Sequence, residues 1–348
     1  MHGRERELTA IRHETPDRIP VDAICIENLD ALAAHLAIAP EEVPARLGLD
    51  GWVVAAGYRG PMPPPISDAQ PVNEWGASAL QDYGVDHVYP LAAAEDARAV
   101  ETYAWWPDPA LYSYAETAES ARPQGIAYAL RGPYWQPLFC RACSLLGMEE
   151  LLVKMLAAPA VVEAVLACIA DRVAVYCERF LDACGETVPI LCLGDDFATQ
   201  RGMLLAPELW RRFLKPHYAR LFAIGKQRGK FVWFHSCGDV TAVLPDLIDI
   251  GLDVWETVQL HTLPITAAEL KREYGRRLAF FGGINTQRLP FASPEEVRAE
   301  VRRCIERLGE GGGYICGPDH HVKPDVSAEN TVALFAEATT FRRPGYTQ

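Results

Sequence analysis

From about residue 185 onward the chain repeats one pattern: a short apolar run, an amphipathic stretch of helical period, then another apolar run. The runs are 187–194 (TVPILCLG), 230–238 (KFVWFHSCG), 252–259 (LDVWETVQ), 278–285 (LAFFGGIN) and 312–319 (GGYICGPD). β-Branched and aromatic residues fill them, and glycine or polar residues flank them, as in buried strands. Between them, 206–228, 239–250 and 293–308 read as helices. The second carries Val240, Val243, Leu244, Leu247 and Ile248 at helical spacing. The third opens with Ser293-Pro294-Glu295-Glu296, an N-cap, a proline at the first helical position and acids in the first turn. Earlier in the chain, 18–26 (RIPVDAICI), 50–56 (DGWVVAA) and 125–132 (GIAYALRG) bring the strands to eight. Strand–helix alternation demands parallel strands joined by right-handed crossovers, and eight such units close into a cylinder. No GxGxxG follows an early strand, which argues against an open doubly wound sheet. The expected fold is a (β/α)₈ TIM barrel with an N-terminal extension.

The stretch 57–124 breaks the rhythm. It holds Pro61, Pro63, Pro64 and Pro65, together with Trp75, Tyr83, Tyr103, Trp105 and Trp106. It is expected to be a long irregular insertion over the barrel mouth rather than a second domain, so that 1–348 form one domain.

A formal net charge of −13 repels phosphate backbones and anionic membranes, which excludes nucleic acid as an expected partner. No apolar run approaches the ~20 residues that span a bilayer. The first twenty residues are charged throughout and lack the apolar segment of a signal peptide, so the cytoplasm is the expected compartment. Ten cysteines in such a chain are expected to be buried thiols or metal ligands rather than disulfides.

Two of those cysteines and one histidine stand out. His235 and Cys237 end the run FVWFHSC, and residues two apart in extended chain point to one side. Cys316 occupies the corresponding level of GGYIC, and in a parallel barrel all strand C-termini share one face. Imidazole and thiolate donors suit zinc, and three protein ligands leave a fourth position for substrate. Other polar residues fall at the same rim. Glu256 is the expected fourth ligand or acid–base group. Asp195 and Asp196 are expected to cap a helix or to orient the ligands. Gln259, Asn285, Asp319, His320 and His321 are expected to line the substrate site, the two histidines without binding the metal. The CxxC of Cys140 and Cys143 lacks a second pair and reads as core. Arg298, Arg302, Arg303 and Arg307 read as a solvated helix face.

The segments FHSCGDVTAVLPDLIDIGLDVWETVQ, FFGGINTQRLPFASPEEVRAEV and GGGYICGPDHHVKPDVSAENTVAL resemble the uroporphyrinogen decarboxylase superfamily, and within it the zinc-dependent, corrinoid-linked methyltransferase branch. IRHETPDRIPVD and GDDFATQRGMLLAPELWRRFLKPHYARL are similar to it as well. The resemblance covers nearly the whole chain and is weakest across 57–124. It implies a (β/α)₈ barrel and a His-x-Cys…Cys zinc site, filled here by His235, Cys237 and Cys316. It also implies methyl transfer between a small methyl donor or a thiol acceptor and a corrinoid carried by a separate partner protein. The aromatics of 57–124 favour a donor such as an aromatic methyl ether. A homodimer is an assembly open to such a chain. The superfamily's decarboxylases are the alternative. Their arginine-rich substrate motif is not visible in IPVDAICIENLDALAAH, and Ala55, Ala56 and Gly57 stand where their catalytic aspartate is expected. A third alternative is a non-catalytic corrinoid- or tetrapyrrole-binding protein.

Overall fold

The computed structural model describes residues 1–65, 71–78, 88–135 and 137–342. Seven parallel strands stand side by side in chain order: β1 (Gly51–Val53), β2 (Ala129–Trp135), β3 (Ile190–Gly194), β4 (Phe231–His235), β5 (Val254–Val258), β6 (Ala279–Ile284) and β7 (Tyr314–Pro318). Residues 18–26 are the eighth stave. Val21 bridges Cys316 in parallel, the Cys316 amide donates to the Pro20 carbonyl at 2.8 Å, and the Asp50 amide donates to the Val21 carbonyl at 2.8 Å. The cylinder therefore closes between β7 and β1, as the alternation predicts.

That eighth stave is not a regular strand, and its backbone donors explain why. The Val21 amide goes to the Asp50 carboxylate and the Ala23 amide to the Asp22 carboxylate, so neither is free for a ladder. Other boundaries shift for equally local reasons. The predicted strand 125–132 begins at Ala129, because helix α2 (Tyr114–Ala127) runs up to it. The predicted helix 206–228 is two helices broken at Leu214, since Pro216 sits in the first turn of the second and supplies no amide. In 239–250 only Leu244–Asp249 is helical. The Asp239 carboxylate holds the Thr241 amide and hydroxyl in a turn, and Pro245 starts the helix.

Strand parity sorts the core. Ala129, Ile190, Cys192, Trp233, Val254, Ala279, Phe281 and Ile315 point into the cylinder, where they meet Leu8 and Ile11 of α1 (Gly3–Ile11). Ala129, Ile190, Val254 and Ala279 each open their strand, so α1 plugs the N-terminal end. Burying each large aliphatic there contributes about 1.5–3 kcal/mol. The opposite end stays open for chemistry. The outward residues, among them Val232, Phe234, Tyr314 and Cys316, pack against the helix layer. That layer includes α3 (Phe139–Leu146), α4 (Pro159–Cys184) and α5 (Pro294–Leu308). Helix α5 starts as its sequence predicts, with a reciprocal Ser293–Glu296 capping box. Among the described residues no helix is long and apolar enough to cross a membrane.

Trp75, Tyr103 and Trp106 of the stretch 57–124 pack on that helix layer. Trp75 and Trp106 meet edge to face at 6.0 Å, and Tyr103 meets Trp106 at 5.5 Å. Arg141 of α3 lies 5.0 Å over Trp75, and Arg172 of α4 lies 4.8 Å over Trp106. Tyr83 lies outside the described residues.

Candidate metal centre

On β4, Val232 and Phe234 face the helices while Trp233 and His235 face the interior. The strand ends at His235, and the chain turns through Ser236 and Cys237 to Gly238. Gly238 has φ +80°, and a Cβ there would collide with the Thr199 carbonyl, so only glycine permits this turn. Two side chains hold it in place. The Cys237 amide donates to Asp196 Oδ1 at 2.8 Å, and the Gly238 amide donates to Gln259 Oε1 at 2.8 Å. Cys237 Sγ thereby stands 3.5 Å from His235 Nε2.

His320, on the loop after β7, completes the group. One donor atom from each of His235, Cys237 and His320 lies within 4.8 Å of the others. The His235 and His320 rings stand 5.9 Å apart at 67°. Two ligands at zinc distances in a tetrahedron are separated by about 3.6 Å, close to the sulfur–nitrogen spacing seen here. Burial, with His235 and His321 alongside, pushes His320 down to about 4, which keeps its ring neutral and a lone pair free at pH 7.

Behind His235, its Nδ1 faces Glu256 Oε1 at 2.9 Å, and the other Glu256 oxygen accepts from the Trp233 indole. Burial alone would raise the Glu256 pKa, but His235, Arg131 and Trp233 outweigh it and hold it below the usual carboxylate value. An ionised carboxylate at Nδ1 holds a proton there, so Nε2 is the nitrogen that would give up its proton to a metal. Burial opposes charge on His235, yet Cys237, Glu256 and Asp196 push its pKa well above the ordinary histidine value. Glu256 is fully buried, with its two oxygens at His235 Nδ1 and the Trp233 indole, so its contacts are with the back of His235 rather than with the cavity.

Cys316 is not part of the cluster. His235 is level with Glu256, Phe281 and Ile315 across the sheet, so it is Ile315 that points inward on β7. Cys316 has the opposite parity and sits among the outward residues beside Tyr314 and Cys304, its thiol pushed up to about 12 by burial. The third candidate donor of the cluster is therefore His320, which the sequence places on the cavity wall.

The remaining predicted residues separate cleanly. Asp195 is buried and accepts from the amides of Leu138, Phe139 and Cys140 and from the Tyr218 hydroxyl, so it caps α3. Asp196 stands beside the cluster, its Oδ1 3.6 Å from His235 Nε2. Gln259, His320 and His321 line a cavity of about 520 Å³ that opens beside Cys237, with Gln287, Phe291 and Lys323 among its other walls. Asn285 lines a different, smaller hollow with Arg303 and Arg307. Asp319 is buried and receives the Thr286 amide and hydroxyl, with burial pushing it up to about 7. None of the described residues of 57–124 lines the 520 Å³ cavity, so the described aromatics of that stretch are not part of its wall.

One group escaped the sequence reading. Arg131 is fully buried inside the barrel, paired with Asp22, stacked 4.7 Å over the Trp233 ring and close to Glu7. Gly51 makes room for it, since a Cβ there would strike Asp22 and Arg131. A charged residue at an inward position of a strand, as in ALRG, was the available signal.

These features define a parallel α/β barrel with a histidine–thiol–histidine cluster at its open end. The model of the uroporphyrinogen decarboxylase (URO-D) family matches residues 138–341, more than half of the chain. The protein belongs to that family. A uroporphyrinogen decarboxylase of Methylococcus capsulatus is 26% identical over 188 residues, covering 53% of this chain and 49% of the relative. The methylcobamide:CoM methyltransferase MtaA of Methanosarcina barkeri is 26% identical over 168 residues, covering 48% and 45%. The chain thus spans about half the length of the curated relatives it matches. A solved methyltransferase from Methanosarcina mazei superposes with a TM-score of 0.63 at 17% identity, over 97% of this chain and 98% of that one. At that identity the agreement is one of fold.

Proposed function

We propose that the protein is a zinc-dependent methyltransferase, moving a methyl group between a small donor or thiol acceptor and a corrinoid presented by a partner protein. The observation that carries this reading is the approach of His235, Cys237 and His320 at the mouth of a cavity large enough for substrate. Their donor set and their 3.5 Å sulfur–nitrogen spacing fit zinc. Bound there, zinc would act as a Lewis acid toward a thiol or a methyl-bearing heteroatom.

The chain's own residues do the positioning. Glu256 keeps the His235 proton on Nδ1, Asp196 fixes the Cys237 backbone, and Gln259 fixes Gly238. His321, Gln287 and Phe291 flank the approach. Charge also favours methyl transfer over decarboxylation of a polycarboxylate. Among the described cavity walls the one Lys or Arg is Lys323, already engaged by Glu27, and Arg131 is buried against Asp22.

The test is metal analysis of the purified protein, followed by methyl transfer with methylcobalamin or cob(I)alamin and candidate thiols and methyl donors. About one zinc per chain at the cluster, and turnover lost in Cys237→Ala, is the expected result. Unchanged turnover in Cys237→Ala would sink the proposal, as would porphyrinogen decarboxylation by metal-free protein.

A further inference from the structure

The rim of the same cavity carries a second set of metal-ligating side chains that the first site does not use. On the eighth stave, Ile26 bridges Val322 in parallel, the Val322 amide donates to the Cys25 carbonyl, and the Glu27 amide donates to the Val322 carbonyl. Cys25 and Glu27 flank one bridging residue while His321 and Lys323 flank the other. Alternation along extended chain therefore puts all four on one side. The outcome is compact: a sulfur, a carboxylate oxygen and an imidazole nitrogen from Cys25, Glu27 and His321 all lie within 4.8 Å of one another. Glu27 Oε1 already meets His321 Nδ1 at 2.8 Å and Lys323 Nζ at 2.7 Å.

We infer that Cys25, Glu27 and His321 form a second site for a borderline divalent cation such as zinc or cobalt. Thiolate, carboxylate and imidazole are the three ligand types such ions accept together. The site is distinct from the first, sharing no ligand with it, but the two are neighbours, since the His320 and His321 rings are 4.6 Å apart. Backbone pairing sets its geometry, so binding requires side-chain adjustment alone. Lys323 is its built-in competitor: the ammonium holds the carboxylate that the metal must take, which makes this the weaker of the two sites.

Cobalt(II) is the probe, because thiolate-to-cobalt absorption reports each cysteine ligand. Metal-free protein titrated with Co²⁺ is expected to take up two equivalents, each adding thiolate absorption. Cys25→Ser abolishes the weaker equivalent and keeps the tighter one. Cys237→Ser does the reverse. Lys323→Met tightens the weaker equivalent. Uptake of one equivalent by the unaltered chain with its absorption lost in Cys237→Ser, or two equivalents persisting in Cys25→Ser, would overturn the inference. So would uptake that never saturates at a fixed ratio, or a Lys323→Met variant with unchanged affinity. If Cys237→Ser changes nothing while Cys25→Ser abolishes uptake, the proposed function fails and the second site stands.

Discussion

Replacing Glu256 by glutamine keeps the shape of the residue behind His235 and removes its ability to accept two hydrogen bonds. In the native arrangement one oxygen faces His235 Nδ1 at 2.9 Å and the other accepts from the Trp233 indole. A glutamine amide has one oxygen and one NH₂. If its oxygen stays on the indole, its NH₂ confronts the Nδ1 proton, and the imidazole is driven to carry its proton on Nε2, the atom needed for metal. If the amide turns over, the indole loses its acceptor. Either way one buried donor is stranded, which costs about 1–3 kcal/mol. Paid on metal binding, that is about 5- to 150-fold in affinity, in the range known for such supporting carboxylates. A zinc titration of metal-free Glu256→Gln against a competing chelator measures it, with far-ultraviolet circular dichroism as the check on folding. A folded variant that binds zinc as tightly as the unaltered chain would refute the role given to Glu256.

Other substitutions separate the roles of the remaining residues. His320→Ala is expected to lose the tight metal equivalent, whereas Cys316→Ala keeps it and costs on the order of 1 kcal/mol of stability for the lost buried sulfur; zinc content and urea denaturation read the two effects. Asp195→Ala removes the cap of α3 and strands the Tyr218 hydroxyl, so urea denaturation should show a loss of about 2–4 kcal/mol with the metal site intact. Burial disfavours charge on Asp246, but Arg211 and Lys215 outweigh it and hold its pKa below the ordinary value. Its contribution to stability is therefore present above the unfolded carboxylate pKa and lost as pH falls through the folded one. Asp246→Asn should be less stable than the parent at pH 7, and the gap should close on acidification below about pH 4.

The fold was legible because hydrophobic period is a local property. Short apolar runs rich in β-branched and aromatic residues, alternating with helical stretches, leave few parallel topologies, and the capping box at Ser293 marks one helix start. Features set by side-chain competition were not legible. The eighth stave reads as a strand, yet Asp22 and Asp50 divert its amides. The site was half visible. His235 and Cys237 are two apart in sequence, and the structure brings them together. Cys316 stands at the strand-end level the sequence suggests, but parity gives the inward position to Ile315 and turns Cys316 toward the helices. His320 follows the strand, where loop geometry rather than period decides direction, and period says nothing there. Arg131 was overlooked because a single charge inside an apolar run reads as noise until its partner, Asp22, is seen more than a hundred residues away.

The barrel is a hoop with a clasp. Seven of its members are laced by parallel ladders, while the eighth is fastened by the bridges at Val21 and Ile26 and a handful of backbone bonds. Local opening is expected where regular pairing is sparse, as along this clasp. Cys25, Glu27 and His321 are mounted on its two halves. A cation gripping all three would pull the halves together, and a loosened clasp would in turn weaken the grip by the same free energy. Occupancy of the rim and tightness of the hoop are thus a single linked equilibrium.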